Sequence, residues 1–472
     1  MTDKRPRSRL AAILTPPAPG PRGQANASVH SQVFLAGLFA ITAIGTVLLA
    51  TPWVTADGSS TPLINAFFFF FSAASVSGLS VVDTLEHWNL AGQFVVLALV
   101  QIGGLGFMVG ANILLQMLRR GMGSFTLRDE LLLRDGAPTL SINEAVSLAR
   151  QIFWFMVAVE AAGAVCLTLW FLVVAKLHVL DAMWHGVFYA ITAFCNAGFD
   201  VSRVAPHTDP ATDPILNILL IVLIQLGAIS FMVCKDLFHK RAWQPLTLDS
   251  KIVLGLNGAL LLVGTLVFLA TEWGEALADV PVGSKPLVSL FQSASARSAG
   301  FNSVEWSLVN PLTLFFWLGL MFIGGASGST SGGVRLNTVG VVLAAVASTL
   351  RGNAETQLWG RRIAAPLVYR AVTVIVIFLL VYGLGAAGLS AAEHHLSRRE
   401  TPMISLMFEA MSALATVGLS TGITPGLSAV SKLILCALMF VGHLGPLVTV
   451  YALQRRQRPH RYRFPEEAVR IG

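Results

Sequence analysis

The sequence predicts an all-α membrane protein of four tandem helix–pore loop–helix repeats, with eight transmembrane helices plus four re-entrant pore helices around a pseudo-fourfold pore. Three observations predict it. The chain is strongly apolar, its apolar runs alternate between long enough and too short to cross a bilayer, and each short run ends in a similar glycine-containing segment.

Of 472 residues, 54% are hydrophobic and 12% charged, and the mean hydropathy is +0.69. Soluble domains carry about 25% charged residues, so this chain belongs in a lipid bilayer. The net charge of +7 would fit a nucleic-acid binder. The basic residues, however, sit in short tracts between apolar runs and form no single basic face, so no nucleic-acid partner is expected. Cys166, Cys195, Cys234 and Cys436 lie in apolar segments without metal or redox spacing, and each reads as a small buried hydrophobe. Residues 1–30 are polar and rich in Pro and Arg, lack a signal-peptide pattern, and read as a cytoplasmic tail.

A hydrocarbon core of about 30 Å needs roughly 20 helical residues. Runs of that order occur near 33–53, 91–117, 152–175, 214–237, 252–271, 309–348, 371–392 and 432–453. Between each odd run and the next lies a shorter stretch: 62–74, 182–194, 286–296 and 402–414. Pro62, Pro286 and Pro402 open three of these and Asp181 the fourth, as helix starts do. Non-helical backbone at membrane depth is tolerated only inside protein or against water, so four such stretches imply a shared aqueous path. The segments 1–30, 118–150, 235–251, 351–370 and 454–472 hold 24 of the 32 Lys and Arg. That asymmetry places both termini in the cytoplasm, with the re-entrant loops entering from outside. The organisation expected is a tail (1–30), repeats over 31–120, 140–240, 250–350 and 365–455, and a second cytoplasmic tail (456–472).

The segments after the short helices align as Ser75-Val76-Ser77-Gly78, Cys195-Asn196-Ala197-Gly198, Arg297-Ser298-Ala299-Gly300 and Ala415-Thr416-Val417-Gly418. A dehydrated monovalent cation needs several oxygen ligands at once, and a ring of backbone carbonyls supplies them in a membrane. Extended backbone at Val76-Ser77, Asn196-Ala197, Ser298-Ala299 and Thr416-Val417 would form that ring, with glycine allowing adjacent carbonyls to turn the same way. Short helices entering from outside would also aim the negative ends of their dipoles at the membrane centre. One such glycine alone reads better as helix packing. Four in register, each after a helix too short to span, reverse that preference.

A second glycine set lies at Gly103, Gly227, Gly324 and Gly442, 24 to 29 residues beyond the first, and predicts breaks halfway through the four inner helices. The third break is extended: Gly324-Gly325, then Gly328-Ser329-Thr330-Ser331-Gly332-Gly333. A Gly, Ser and Thr run inside an apolar segment holds no stable helix and would obstruct a pore unless it moved. A phosphate loop is disfavoured, because Val334-Arg335 stands where that motif needs Lys followed by Ser or Thr.

These residues resemble the Trk/Ktr/HKT superfamily of potassium transporters, and most closely its Ktr membrane subunit (KtrB-like), over nearly the whole chain from about residue 33. The resemblance rests on all four glycine segments, on the third inner helix running into 324–333, and on the C-terminal Tyr462-Arg463-Phe464-Pro465-Glu466-Glu467 ending at Gly472. It implies potassium uptake across a bacterial cell membrane, no cofactor in this chain, K+ at the filter carbonyls and Na+ as a candidate activator. It also implies a homodimer docked on a cytosolic KtrA-like regulatory ring that carries ATP or ADP, and a gate at 324–335 under the filter. One position departs from the pattern: relatives usually carry an arginine where this chain has His443, whose charge is conditional at pH 7.

Among intramembrane charges, Glu160 is expected to pair with a polar group, Glu409 to support its helix, Arg297 to anchor its loop from behind, and Arg335 to border the gate. An ion-coupled (Na+ or H+) secondary transporter is the alternative reading, but such folds usually show inverted halves, whereas this chain shows four parallel repeats. A Trk-type subunit is a nearer alternative, which the short N-terminal stretch disfavours. A membrane enzyme would need a nucleophile and base or a metal cluster, which no spacing here supplies, so no enzyme is expected.

Overall fold

The structure, a computed structural model, describes residues 42–121, 142–199, 212–397 and 401–444. The expected tails and the C-terminal Tyr462-to-Gly472 stretch lie outside these residues. Fourteen helices carry the architecture: α1 (42–50), α2 (Leu63–Ala74), α3 (Leu90–Gly121), α4 (Ile142–Val173), α5 (Val179–Cys195), α6 (Pro214–Ala228) and α7 (Phe231–Lys240). The remainder are α8 (Leu248–Thr271), α9 (Lys285–Ser295), α10 (Pro311–Phe322), α11 (Leu336–Leu350), α12 (Ala365–Ala392), α13 (Met403–Leu414) and α14 (Ala429–Leu444). The chain is thus an all-α membrane protein of four repeats, each with an outer helix, a short helix and an inner helix.

Local chemistry sets the helix starts. Asp213 accepts a hydrogen bond from Leu216 N at 2.8 Å and Pro214 fills the first position of α6. Thr247 caps α8 through Ser250 N, and Asn310 caps α10 through Leu312 N ahead of Pro311. These caps satisfy amide groups that a helix start leaves without partners. Pro62 and Pro402 prove to be extended N-cap residues, whereas Pro286 lies within the first turn of α9. The second short helix starts at Val179, ahead of Asp181.

α4 from Val146, α8, and α12 continued to His395 are each long and apolar enough to cross a bilayer, and α6 with α7 forms a fourth candidate bent by 102°. Their outward faces carry large apolar side chains such as Leu169, Leu262 and Leu384, as hydrocarbon contact requires. Cys166 also faces outward, contrary to expectation, because its place on α4 turns it away from the bundle; the other three cysteines are buried. Inside, one core gathers Phe69, Phe188, Phe194 and Phe199 from the first two repeats. A second gathers Phe268, Trp306, Trp317 and Phe408 from the last two.

Among the described residues, glycine-marked breaks occur in the second and third inner helices, and the residues beyond Leu444, where a break after Gly442 would fall, lie outside them. α3 runs unbroken through Gly103 and α14 through Gly442. A side chain at Gly103 would overlap the Ala74 carbonyl, at Gly227 the Phe194 carbonyl and at Gly442 the Leu414 carbonyl. Each of these carbonyls belongs to the last or penultimate residue of the short helix of the same repeat. The glycines therefore admit the short-helix end, and among the described residues the chain breaks just beyond Gly227 and at Gly324.

Candidate functional site

The four short helices end in segments with the same backbone form. Val76, Asn196, Ser298 and Thr416 have φ of 55°, 59°, 77° and 48°, and two residues later Gly78, Gly198, Gly300 and Gly418 have 80°, 62°, 71° and 94°. Val76, Asn196, Ser298 and Thr416, expected to be extended, are therefore left-handed, because closing the ring overrides their local preference. The non-glycine residues carry strain of about 1–3 kcal/mol each, more for β-branched Val76 and Thr416, and such strain collects at functional sites.

The four segments close into a ring in chain order. A Cβ on Gly78 would overlap the Ala197 carbonyl oxygen; one on Gly198 would stand 2.7 Å from that of Ala299. One on Gly300 would overlap that of Val417, and one on Gly418 that of Ser77, which completes the circuit. Glycine is required here for close approach as well as for its backbone angles. Within the ring, donors turn back into the protein: Ser77 N bonds Ser72 O, Ala197 N bonds Thr192 O and Val417 N bonds Ser412 O, all at 2.8 Å, and Ala299 N bonds Ser295 O at 3.0 Å. Among the described residues, no hydrogen bond ends on the carbonyls of Ser77, Ala197, Ala299 or Val417. All four residues are fully buried. Buried backbone acceptors are nearly always partnered, so four unpartnered ones converging on one ring mark a place for a ligand that accepts lone pairs.

The 324–335 loop lies against the end of the ring that adjoins the short-helix C-termini. Its two ends are stitched together in parallel: Ile323 and Val334 form a parallel bridge, Gly324 N donates to Val334 O at 3.0 Å, and Leu336 N donates to Gly325 O at 3.0 Å. Gly328 (φ 81°) and Gly333 (φ 69°) turn the chain. The tip is held on several sides. Asn112 of α3 donates to Gly328 O at 2.7 Å, and Asn196 Nδ2 donates to Thr330 Oγ1 at 2.8 Å. Thr330 N donates to Gly227 O at 3.2 Å, Gly332 N donates to Ser298 Oγ at 3.1 Å, and a Cβ on Gly332 would overlap Thr416 Oγ1. Ser329 Oγ closes a turn onto Ala326 O. Arg335 donates to Ser331 O from the loop's end. His443 on α14 meets the Ser75 backbone and feels the charge of Arg335. The loop thus touches the second, third and fourth ring segments.

The other intramembrane charges brace this arrangement. Glu409 is fully buried and accepts from Ser420 Oγ (2.7 Å), Thr421 N (2.9 Å), Thr421 Oγ1 (3.3 Å) and Thr424 Oγ1 (2.7 Å), which clamps the strand leaving the fourth segment. Gln292 braces the third segment with the opposite polarity, donating from Nε2 to Ser303 Oγ at 2.7 Å. Arg297 turns behind the ring to Asn257 and Gln225, and Glu160 meets Gln101. Asn112, Asn257 and Gln292 were not singled out by sequence, since nothing local distinguishes them from packing polars.

A multi-pass helical membrane protein whose four repeats enclose an unpartnered carbonyl ring is, by class, a transport protein. The pattern of the TrkH family, described as cation transport protein, matches residues 26–459, and the chain belongs to that family. It is 33% identical over 447 residues to the Ktr system potassium uptake protein B of Bacillus subtilis, covering 93% of this chain and 96% of that one. It is 32% identical over 444 residues to the potassium/sodium uptake protein NtpJ of Enterococcus hirae, covering 93% and 97%. The crystal structure of the potassium transporter TrkH from Vibrio parahaemolyticus superposes with a TM-score of 0.67 at 19% identity, covering 88% of this chain and 82% of that one; this likeness concerns the fold.

Proposed function

We propose that the ring is a potassium-selective filter and the 324–335 loop its gate, so that K+ enters a bacterial cell down its electrochemical gradient through a channel-like pore. The observation that carries this reading is the set of four buried, unpartnered carbonyls at Ser77, Ala197, Ala299 and Val417. Such a ring replaces a cation's hydration shell oxygen for oxygen. The neighbouring residues Val76, Asn196, Ser298 and Thr416, with Gly78, Gly198, Gly300 and Gly418, hold those carbonyls in register. Gly324, Gly325, Gly328, Ser329, Thr330, Gly332, Gly333, Arg335 and His443 form or border the gate. In keeping with its relatives' names, the chain works as the membrane subunit of a Ktr-type system: a homodimer in the inner membrane with both termini cytoplasmic. A cytosolic nucleotide-binding ring that takes ATP or ADP would regulate it, and Na+ would act as an activator.

The test is uptake by purified protein in liposomes that contain K+ or Na+ in turn, without a Na+ or H+ gradient. Preferential K+ movement under those conditions supports the pore. Flux that appears only with an imposed Na+ or H+ gradient sinks it and favours ion-coupled transport.

A further inference from the structure

Three of the four seams between repeats share one construction. The inner-helix residue two positions before the close-packed glycine meets the outer helix of the following repeat, level with the first residue of that repeat's ring segment. At the first seam Gln101 Nε2 donates to Glu160 Oε2 at 2.9 Å, and Cys195 Sγ lies 3.8 Å from Glu160 Oε1. At the second, Arg297 donates to Asn257 Oδ1 at 2.7 Å and to Gln225 Oε1 at 3.3 Å, while Asn257 Nδ2 donates to Gln225 Oε1 at 2.8 Å. The third is apolar: Phe322 packs edge-on to Phe378, ring centroids 5.4 Å apart, and the ring position is Ala415.

The apolar seam shows that packing alone suffices at such a joint. The second seam nevertheless holds a guanidinium that is 1% exposed and bonded to two neutral amides, with no carboxylate bonded to it among the described residues. Burying a cation without a counter-charge is expensive, and a purely structural joint gives no reason to do it. What Arg297 joins supplies one. Gln225 lies two residues before Gly227, whose carbonyl receives Thr330 N and Thr330 Oγ1 at 3.2 and 3.1 Å. Arg297 itself precedes Ser298, whose hydroxyl receives Gly332 N. The planar fork of arginine therefore ties together the two surfaces on which the loop rests, a task that suits two fixed donors on one rigid group.

We propose that Arg297 is a positioning residue that couples the 324–335 loop to the ring, by holding Gln225 and the third ring segment in the register on which the closed loop depends. The proposal rests on the pore reading above. Lysine at 297 keeps the charge but replaces the rigid planar fork with one rotating ammonium on a flexible stem, which does not fix Asn257 and Gln225 in one register. The double variant N257E/R297C copies the chemistry of the first seam into the second, a combination this fold already accommodates.

Uptake of K+ and of Na+ is measured in liposomes for the native chain, R297K and N257E/R297C, each with and without residues 326–332. Native chain that moves no K+ defeats the pore reading itself, separately from this inference. With the loop present, both variants are expected to raise K+ flux about tenfold and lower the K+ preference, the scale of losing one charge-assisted hydrogen bond. With the loop deleted, the rise in flux is expected to vanish, because coupled sites are non-additive. Native flux and preference in both variants overturn the proposal. A rise of the same size with and without the loop also overturns it, because Arg297 would then act on the ring alone.

Discussion

Gly300→Ser tests the ring at its tightest logic. At φ 71° a residue with a Cβ costs about 1–2 kcal/mol more than glycine. The new Cβ would also overlap the Val417 carbonyl oxygen and stand 3.0 Å from Gly418 Cα and 3.2 Å from Val417 C. All three atoms are backbone of the neighbouring segment, so no side-chain rotation relieves the contact. The strain is relieved only by moving the fourth segment, which displaces a carbonyl from the ring. If that displacement releases the backbone cost, K+ over Na+ preference falls by about fivefold to thirtyfold. The assay is competitive uptake of the two ions into liposomes, with Gly319→Ser as the control, since a Cβ at Gly319 meets nothing within 4 Å. Unchanged preference in folded Gly300→Ser would refute the argument that the glycines hold neighbouring carbonyls in place.

Asn112→Ala removes the side chain that bonds Gly328 O, and is expected to raise K+ flux about tenfold at an unchanged ion preference. Glu409→Ala leaves Ser420, Thr421 and Thr424 without their shared acceptor, and should cost about 1–3 kcal/mol in thermal unfolding, with Glu409→Gln milder. Outside the spans, burial holds the His87 imidazole below its ordinary value, against the opposing charge of Asp57, while Nε2 pairs with Thr61 Oγ1 at 2.8 Å. The unfolded chain then binds the proton more readily, so this contribution is present above the ordinary histidine value of about 6.5 and is lost as pH falls through the lowered one. The unfolding midpoint should therefore drop on acidification from about pH 7.5 to about pH 5, and His87→Gln should flatten that slope.

Much of the plan is legible in sequence because repetition multiplies a weak signal. One glycine after a short apolar stretch says little, but Gly78, Gly198, Gly300 and Gly418 at matched positions identify the segments that meet in the ring. Among the inner-helix glycines, Gly103 misled for a physical reason: close approach and helix breaking both select glycine. Only the Phe194, Ala74 and Leu414 carbonyls packed against three of them reveal which demand applies. The left-handed angles at Val76 and Thr416 were hidden because β-branched residues argue against them, and tertiary closure overrides that preference. Arg297 behind its segment was foreseeable, since a cation facing the ring would repel ions. Its partners Gln225 and Asn257 were not, because they lie 72 and 40 residues away in sequence.

A ring closed by one polypeptide has four quarters that differ. Among the described residues, the third inner helix alone is interrupted by a long insert, the 324–335 loop, and that insert touches three of the four segments. A ring of four identical chains would carry four such inserts converging on one axis, each competing for the volume that a single one fills here. Fusing the quarters into one chain frees three of them to remain plain walls while the fourth specialises. Mutational tolerance should follow contact with the insert: changes at residues that hold it, such as Asn112 in the first quarter, alter when ions pass, and changes at the ring glycines alter which ions pass.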